Sequence, residues 1–185
     1  LTSEYYLGLD ISTACTGYSI IDKDGALIDI GWFELSGLEG LHAKADFVEK
    51  KLRALPTPTG IFVEENVLGF RPGSSSAHVI ITLAKFNALV SHLCWTIWSI
   101  APVSIVSISA RKTVGLKVPK GDNVKIHVLA WAQSKIGASY TWPTKVMKAG
   151  PRKGAVILQP GCTDAADAYL LVNAGLKIKE SKIII

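Results

Sequence analysis

Three strand-length apolar runs, Tyr5–Ile11, Gly17–Asp22 and Ala26–Phe33, follow one another with connections of only a few residues. No crossover helix fits into such connections, so these strands are expected to pair as an antiparallel meander. Asp22-Lys23-Asp24-Gly25 supplies the turn into the third. The period then changes. Leu38–Leu55 puts Leu41, Ala45, Val48 and Leu52 at helical spacings, Pro56–Gly60 breaks that helix, and Ile61–Glu65 reads as a fourth strand. The loop Gly69–Ser76 ends in a serine run that can cap a helix over Ala77–Trp98. Pro102 opens a fifth strand, Val103–Ser107, followed by helices around Ala110–Val114 and Asp122–Ile136. Gly137–Gly161, rich in Pro, Gly, Lys and Trp, reads as an extended basic loop with a short β element at Ala155–Leu158. The final helix is expected from near Asp164. There is no internal repeat, and residues 1–185 read as one α/β domain.

Composition narrows the class. Of 185 residues 49% are hydrophobic, which excludes a disordered chain. Cys15, Cys94 and Cys162 form no CxxC pair and leave one thiol over in any disulfide scheme, so reduced, intracellular thiols are expected. The scattered histidines offer no zinc spacing with them. Val79–Ala101 is apolar but carries Lys85, Asn87 and His92, which favours a buried helix and strand over a membrane span. The chain begins at Leu1, and removal of an upstream segment such as a targeting peptide is an expectation from sequence.

The net charge of +5 is unevenly spread. Residues 1–65 hold 11 acids against 5 bases, whereas residues 66–163 hold 12 bases and the single acid Asp122. The bases concentrate between Arg111 and Lys153, amid loop signals. A solvated basic face would give the same count, but a positive surface beside an acidic site suits a polyanion, and nucleic acid is the expected partner.

The acids outside that segment carry the chemistry. Asp10 closes the run YYLGLD, Glu64-Glu65 closes GIFVEE, and Asp164 and Asp167 share one face of the last helix at i and i+3. A charge ending an apolar, central strand is costly unless partnered, which singles out Asp10. Glu64 and Glu65 face opposite sides of a strand, and pattern alone does not choose between them. Asp164 has a plainer reading as a first-turn acid complementing the helix dipole, with Thr163 as cap. Ala165, Ala166 and Ala168 would let this helix approach the sheet closely. A carboxylate cluster without zinc-type ligands is what Mg²⁺-assisted phosphoryl chemistry needs, because hard cations prefer oxygen. Such a cluster cannot stay ionised cheaply, and two Mg²⁺ ions about 4 Å apart would cancel its charge, one activating water and the other stabilising the leaving oxygen. A lysine near the reacting phosphate would add to that.

The order of elements is that of a ribonuclease H-like fold: a mixed five-stranded sheet, three antiparallel strands then two parallel, flanked by helices. The motifs LGLDISTACTGYSIID, IFVEENVLGF, SARKTVG and CTDAADAYLLV resemble, in order and over most of the chain, the RuvC-type Holliday junction resolvases. On that resemblance Asp10, Glu64, Asp164 and Asp167 are the catalytic and metal-binding acids, with Mg²⁺ the normal metal and Mn²⁺ able to substitute. The resemblance also implies a homodimer that binds a four-way DNA junction and nicks two opposed strands symmetrically, in DNA recombination and repair. Basic residues after the fifth strand would touch DNA. Lys112 matches there well and Lys120 approximately, and Arg111 and Lys117 lie beside them. Ile-Ser-Thr-Ala follows Asp10 where bacterial members commonly have Pro-Gly, and the Gly137–Gly161 stretch is longer and carries Lys145, Lys148, Arg152 and Lys153. Both departures fit a divergent phage, viral or organellar relative. Localisation would then be intracellular and DNA-associated, cytoplasmic or in an organelle matrix. The long stretch reads either as a DNA-binding element or as a disordered insertion.

The Ala77–Trp98 helix is apolar too broadly for one sheet-facing stripe, and its second face would form the two-fold interface. Tyr140 and Trp142 would either stack on exposed bases or anchor packing. The rival functions are a non-catalytic nucleic-acid-binding protein of the same fold, a nuclease for flaps, R-loops or RNA–DNA hybrids, and an actin-like or sugar-kinase ATPase, for which the chain is short.

Overall fold

A computed structural model describes residues 4–65 and 76–183. The meander forms as β1 (Tyr5–Asp10), β2 (Cys15–Asp22) and β3 (Leu27–Glu34), then α1 (Gly40–Leu52) and β4 (Gly60–Glu64). α2 (Ala77–Trp98), β5 (Val103–Ile105), α3 (Ser107–Val114) and α4 (Val124–Ile136) follow. A 3₁₀ turn at Gly137–Ser139 leads into a hairpin of β6 (Thr144–Val146) and β7 (Val156–Leu158), and α5 (Gly161–Ile183) ends the fold. The sheet order is β3-β2-β1-β4-β5; β1, β2 and β3 pair antiparallel, while β1/β4 and β4/β5 are parallel. This is the five-stranded arrangement the sequence implied.

Strand alternation divides the core into two layers. On one face Leu7, Leu9, Ile20, Ile61 and Val63 pack with Ala45, Val48 and Leu52 of α1 and with Phe86, Val90 and Cys94 of α2. On the other, Tyr6, Ile21, Ile30 and Phe62 pack with α5, whose Ala165, Ala166 and Ala168 are fully buried, and with α3 and α4. Even-numbered residues of β1 and β4 therefore face α5. That parity sends Asp10 and Glu64 to the α5 side and Glu65 to the other.

Close contact between α5 and the sheet depends on glycines as much as on the alanines. A Cβ on Gly8 would strike the Ala168 carbonyl, and one on Gly17 the Asp164 carbonyl. Asp164 and Asp167 are thereby held against the ends of β1 and β2. The helix begins at Gly161, three residues earlier than expected, because Pro160 precedes it and Gly161 fits against the Trp32 ring. Thr163 is consequently inside the helix, its hydroxyl donating to the Pro160 carbonyl at 3.0 Å, and does not cap it. At α2 the expected cap is present: Ser76 Oγ accepts from the Val79 amide at 3.4 Å. The remainder of the loop 69–76 lies outside the described residues.

Two further differences come from short elements. β5 stops at Ile105, since Ser107 already opens α3. The 137–161 stretch contains an ordered-register hairpin (Thr144↔Leu158, Lys145↔Ile157, Val146↔Val156) where the sequence suggested mostly loop. Among the described residues α2 is the one helix long and apolar enough to cross a membrane; here Phe86, Asn87, Val90 and Cys94 bury one of its faces.

Candidate active site

β1 and β4 run parallel with Leu9 opposite Val63, so Asp10 and Glu64 end adjacent strands side by side. α5 brings Asp164 and Asp167 over them, and both carboxylates are mostly shielded, with side-chain exposures of 17% and 21%. All four acids are therefore gathered at one end of the sheet. Glu65 is exposed and contributes its amide to the Ile105 carbonyl, so alternation selects Glu64.

Electrostatics bears out their proximity. Burial raises the Asp10 carboxyl well above the ordinary range; Asp167, Glu64 and Asp164 push in the same direction, and Lys125 opposes them. Burial likewise lifts Asp167 to about 7, with Lys125 and Arg111 pulling down and Glu64 and Asp164 pushing up. The Cys15 thiol stands beside Asp164, and burial followed by that neighbouring charge keeps it protonated. It is a neutral neighbour of the acids, not a thiolate.

Two groups at this site were not singled out from sequence. Lys125, in the first turn of α4, places Nζ 3.6 Å from Asp164 Oδ1 and 4.0 Å from Asp167 Oδ2. Burial pulls its pKa down, but Asp164, Asp167 and Asp10 outweigh that and the net direction is up. A signal was available: a cation in the first turn of a helix opposes the helix dipole and calls for a tertiary partner. Ser107 donates its hydroxyl to Glu64 Oε1, fixing that carboxylate from the start of α3. Nothing in the spacing of residues 64 and 107 announces this bond.

An open cavity of about 320 Å³ adjoins the acids, lined by Glu64, Ser107, Arg111, Val124, Lys125 and Asp167 with Leu170 and Leu171. A larger one, about 520 Å³, lies farther along α5 near Lys23, Trp131 and Lys177 and holds none of the four acids. Among the described residues no three His, Cys, Asp or Glu side chains stand close enough to form a ready-made metal cage. The donor set nonetheless suits a hard divalent cation: carboxylate oxygens only, mutually repelling, with one ammonium already drawn in between two of them.

The other sequence candidates distribute around this centre. Arg111 lines the cavity itself. Lys112 and Lys117 line a second hollow next to it, and Lys120 is exposed on the loop between α3 and α4. Lys145, Lys148, Arg152 and Lys153 are exposed on the β6–β7 hairpin, and among the described residues none of them makes an ion pair. Tyr140 and Trp142 meet edge to face at 5.2 Å and pack against the α5-side core, so they are packing anchors at the hairpin's base.

No family model and no curated protein matches the sequence significantly. Solved structures do match. RuvC of T. thermophilus in complex with a Holliday junction substrate superposes with a TM-score of 0.66 at 11% identity, covering 96% of both chains. The chain has the RuvC fold. A second T. thermophilus RuvC structure gives 0.60 at 12% identity over 95% of this chain and 96% of that one. The yeast mitochondrial Holliday junction resolvase Ydc2 gives 0.60 at 14% identity, covering 95% of this chain and 78% of its own.

Proposed function

We propose that this chain is a divalent-metal-dependent endonuclease that nicks four-way DNA junctions as a homodimer, intracellularly and on DNA. The observation that carries this is the convergence of Asp10, Glu64, Asp164 and Asp167, from three separate segments, beside a cavity walled by Arg111 and Lys125. The RuvC fold, solved elsewhere with a Holliday junction bound, supports the substrate class.

The four acids would hold the metal, Mg²⁺ or Mn²⁺ by the oxygen-only donor set. When bound, a hard divalent cation supplies the positive charge that activates water and stabilises a departing oxygen. The protein's own groups do the rest. Ser107 fixes the Glu64 carboxylate, so the site is positioned before DNA arrives. Arg111 and Lys125 neutralise the phosphate in the cavity, and Lys125 exchanges Asp164 and Asp167 for phosphate oxygens as the strand enters. Leu170 and Leu171 restrict water on the α5 side.

Lys112, Lys117 and Lys120 beside the site hold the strand being cut, and the hairpin cations Lys145, Lys148, Arg152 and Lys153 hold the phosphates of an adjoining arm. α2 supplies the dimer contact: Ile81 and Trp95, on the side of the helix away from Phe86 and Val90, are each more than half exposed (53% and 54%), and a second copy would cover them. A non-catalytic DNA-binding reading has one observation in its favour, the lack of a ready-made cage among the described residues.

A panel of labelled four-way junction, duplex, flap and RNA–DNA substrates with Mg²⁺ or Mn²⁺ separates the readings. Paired nicks confined to the junction are expected. Tight junction binding without cutting would establish the binding protein, and preferential cutting of another substrate would replace the junction.

A further inference from the structure

The cavity beside the acids continues into a second hollow of about 430 Å³ between α3 and the loop to α4, the two sharing Arg111 and Val124 as a common wall. Its lining combines two chemistries. Arg111, Lys112 and Lys117 line it together with the apolar Ile108, Leu116 and Val118, and Ile108, Arg111 and Lys112 share one face of α3. Ile108 is 53% exposed, while Leu116 packs against the α5-side core. Backbone bonds set its shape: Leu116 donates to the Arg111 carbonyl at 2.9 Å, Gly115 to Lys112 at 3.0 Å, and Asp122 to Pro119 at 3.2 Å. The volume lies in the range of small-ligand sites, about 300–1,000 Å³.

Phosphate binding needs the cations and gains nothing from an apolar floor. A base needs an apolar surface once it has left its stack, and contact with that surface offsets the few kcal/mol that unstacking costs. The hollow also contains Asp122, held by His127 at 2.8 Å. A carboxylate among three cations weakens phosphate binding, yet it is the acceptor that recognises an exocyclic amino group, cytosine N4 above all.

We propose that this hollow seats the base of one nucleotide flanking the scissile phosphate, and that Asp122 selects a base presenting an amino group there. The inference rests on the nuclease reading and adds a cleavage-site preference to it. Phosphate would lie toward Arg111 and Lys112, with the base over Ile108 and Val118 and its amino edge at Asp122.

The test is a series of labelled four-way junctions in which each nucleotide flanking the mapped cut is varied through the four bases and an abasic residue. Cutting is timed with Mg²⁺. At one of the two positions, exchanging cytosine for thymine is expected to slow cutting about tenfold. Asp122→Asn should remove that difference, and the double variant Ile108→Ser, Val118→Ser should bring every base to the abasic rate. Ile28→Ser, at an exposed site on β3, controls for loss of apolar surface as such. Equal rates for all bases and for the abasic residue, or a preference that survives both variants, would overturn the proposal.

If the wild-type protein cuts nothing with Mg²⁺ or Mn²⁺, the nuclease reading falls and the hollow is judged separately. A junction carrying 2-aminopurine at the branch point, bound with Ca²⁺, should gain fluorescence as the base leaves the stack, and the Ile108→Ser, Val118→Ser variant should lose that gain. No gain with the wild type, or the same gain with the variant, would reject the base seat.

Discussion

Asp10 and Asp167 are carboxylates whose protons are held more tightly in the folded chain than in the unfolded one. Their linkage therefore has the reverse of the usual sign for acids. Between an unfolded value near 3.9 and the folded values, about 7 for Asp167, the native state binds more protons, and stability falls as pH rises. The metal-free protein is expected to lose several kcal/mol from this site between pH 4 and pH 8, about 4 kcal/mol of it through Asp167. Asp10→Asn should recover part of that loss at pH 8, and added Mg²⁺ should raise the melting temperature more at pH 8 than at pH 5. Melting curves in chelator and in Mg²⁺ check all three statements; a wild type that gains stability through this window for reasons traced to Asp10 would contradict them. Lys125 predicts a separable pair of effects. Lys125→Met removes the cation that competes for Asp164 and Asp167, so Mg²⁺ should bind a few-fold tighter by calorimetry. Phosphate loses a partner, so cutting should slow by about tenfold or more.

At the scale of elements, α5 delivers half of the acids only because Gly8 and Gly17 leave room for its backbone. Gly17→Ala should cost about 1–3 kcal/mol in urea unfolding, since its Cβ would meet the Asp164 carbonyl and the helix must shift. Much of this was legible in the chain. Asp10 at the end of an apolar run, Asp164 and Asp167 at helical spacing and the Ala165–Ala168 surround point to one site from sequence alone. Residue pattern leaves Glu64 and Glu65 open and the resemblance picks Glu64; the pairing of β1 with β4 then puts Glu64 on the α5 side, because alternation says which residues share a face but not which face meets α5. Lys125 was missed because its partners lie some 40 residues along the chain, and local periodicity carries no such information. The hairpin was only half seen: strands of three residues offer too few alternations to register. α2 predicts an association state. Ile81→Ser and Trp95→Ser together should convert the protein to monomer by sedimentation, whereas an already monomeric wild type would rule the dimer out.

Over the whole molecule, the carboxylate centre draws on both ends of the chain, while exposed cations of the basic middle segment lie on the α3–α4 loop and on the hairpin. Junction affinity should consequently be steeply salt-dependent. Replacing Lys145, Lys148, Arg152 and Lys153 by Gln is expected to reduce the slope of log K against log salt by roughly 3 to 4 if each meets a phosphate. An unchanged slope would assign the hairpin elsewhere. The converged carboxylates are expected to cut DNA at a four-way junction. A supercoiled plasmid that extrudes a cruciform tests it in one measurement, with Mg²⁺ present and Asp10→Asn as the comparison. Conversion to linear product with ends a ligase can reseal, absent without metal and absent in the variant, is the predicted result. Plasmid left uncut by the wild type, or cut equally well by Asp10→Asn, would contradict it.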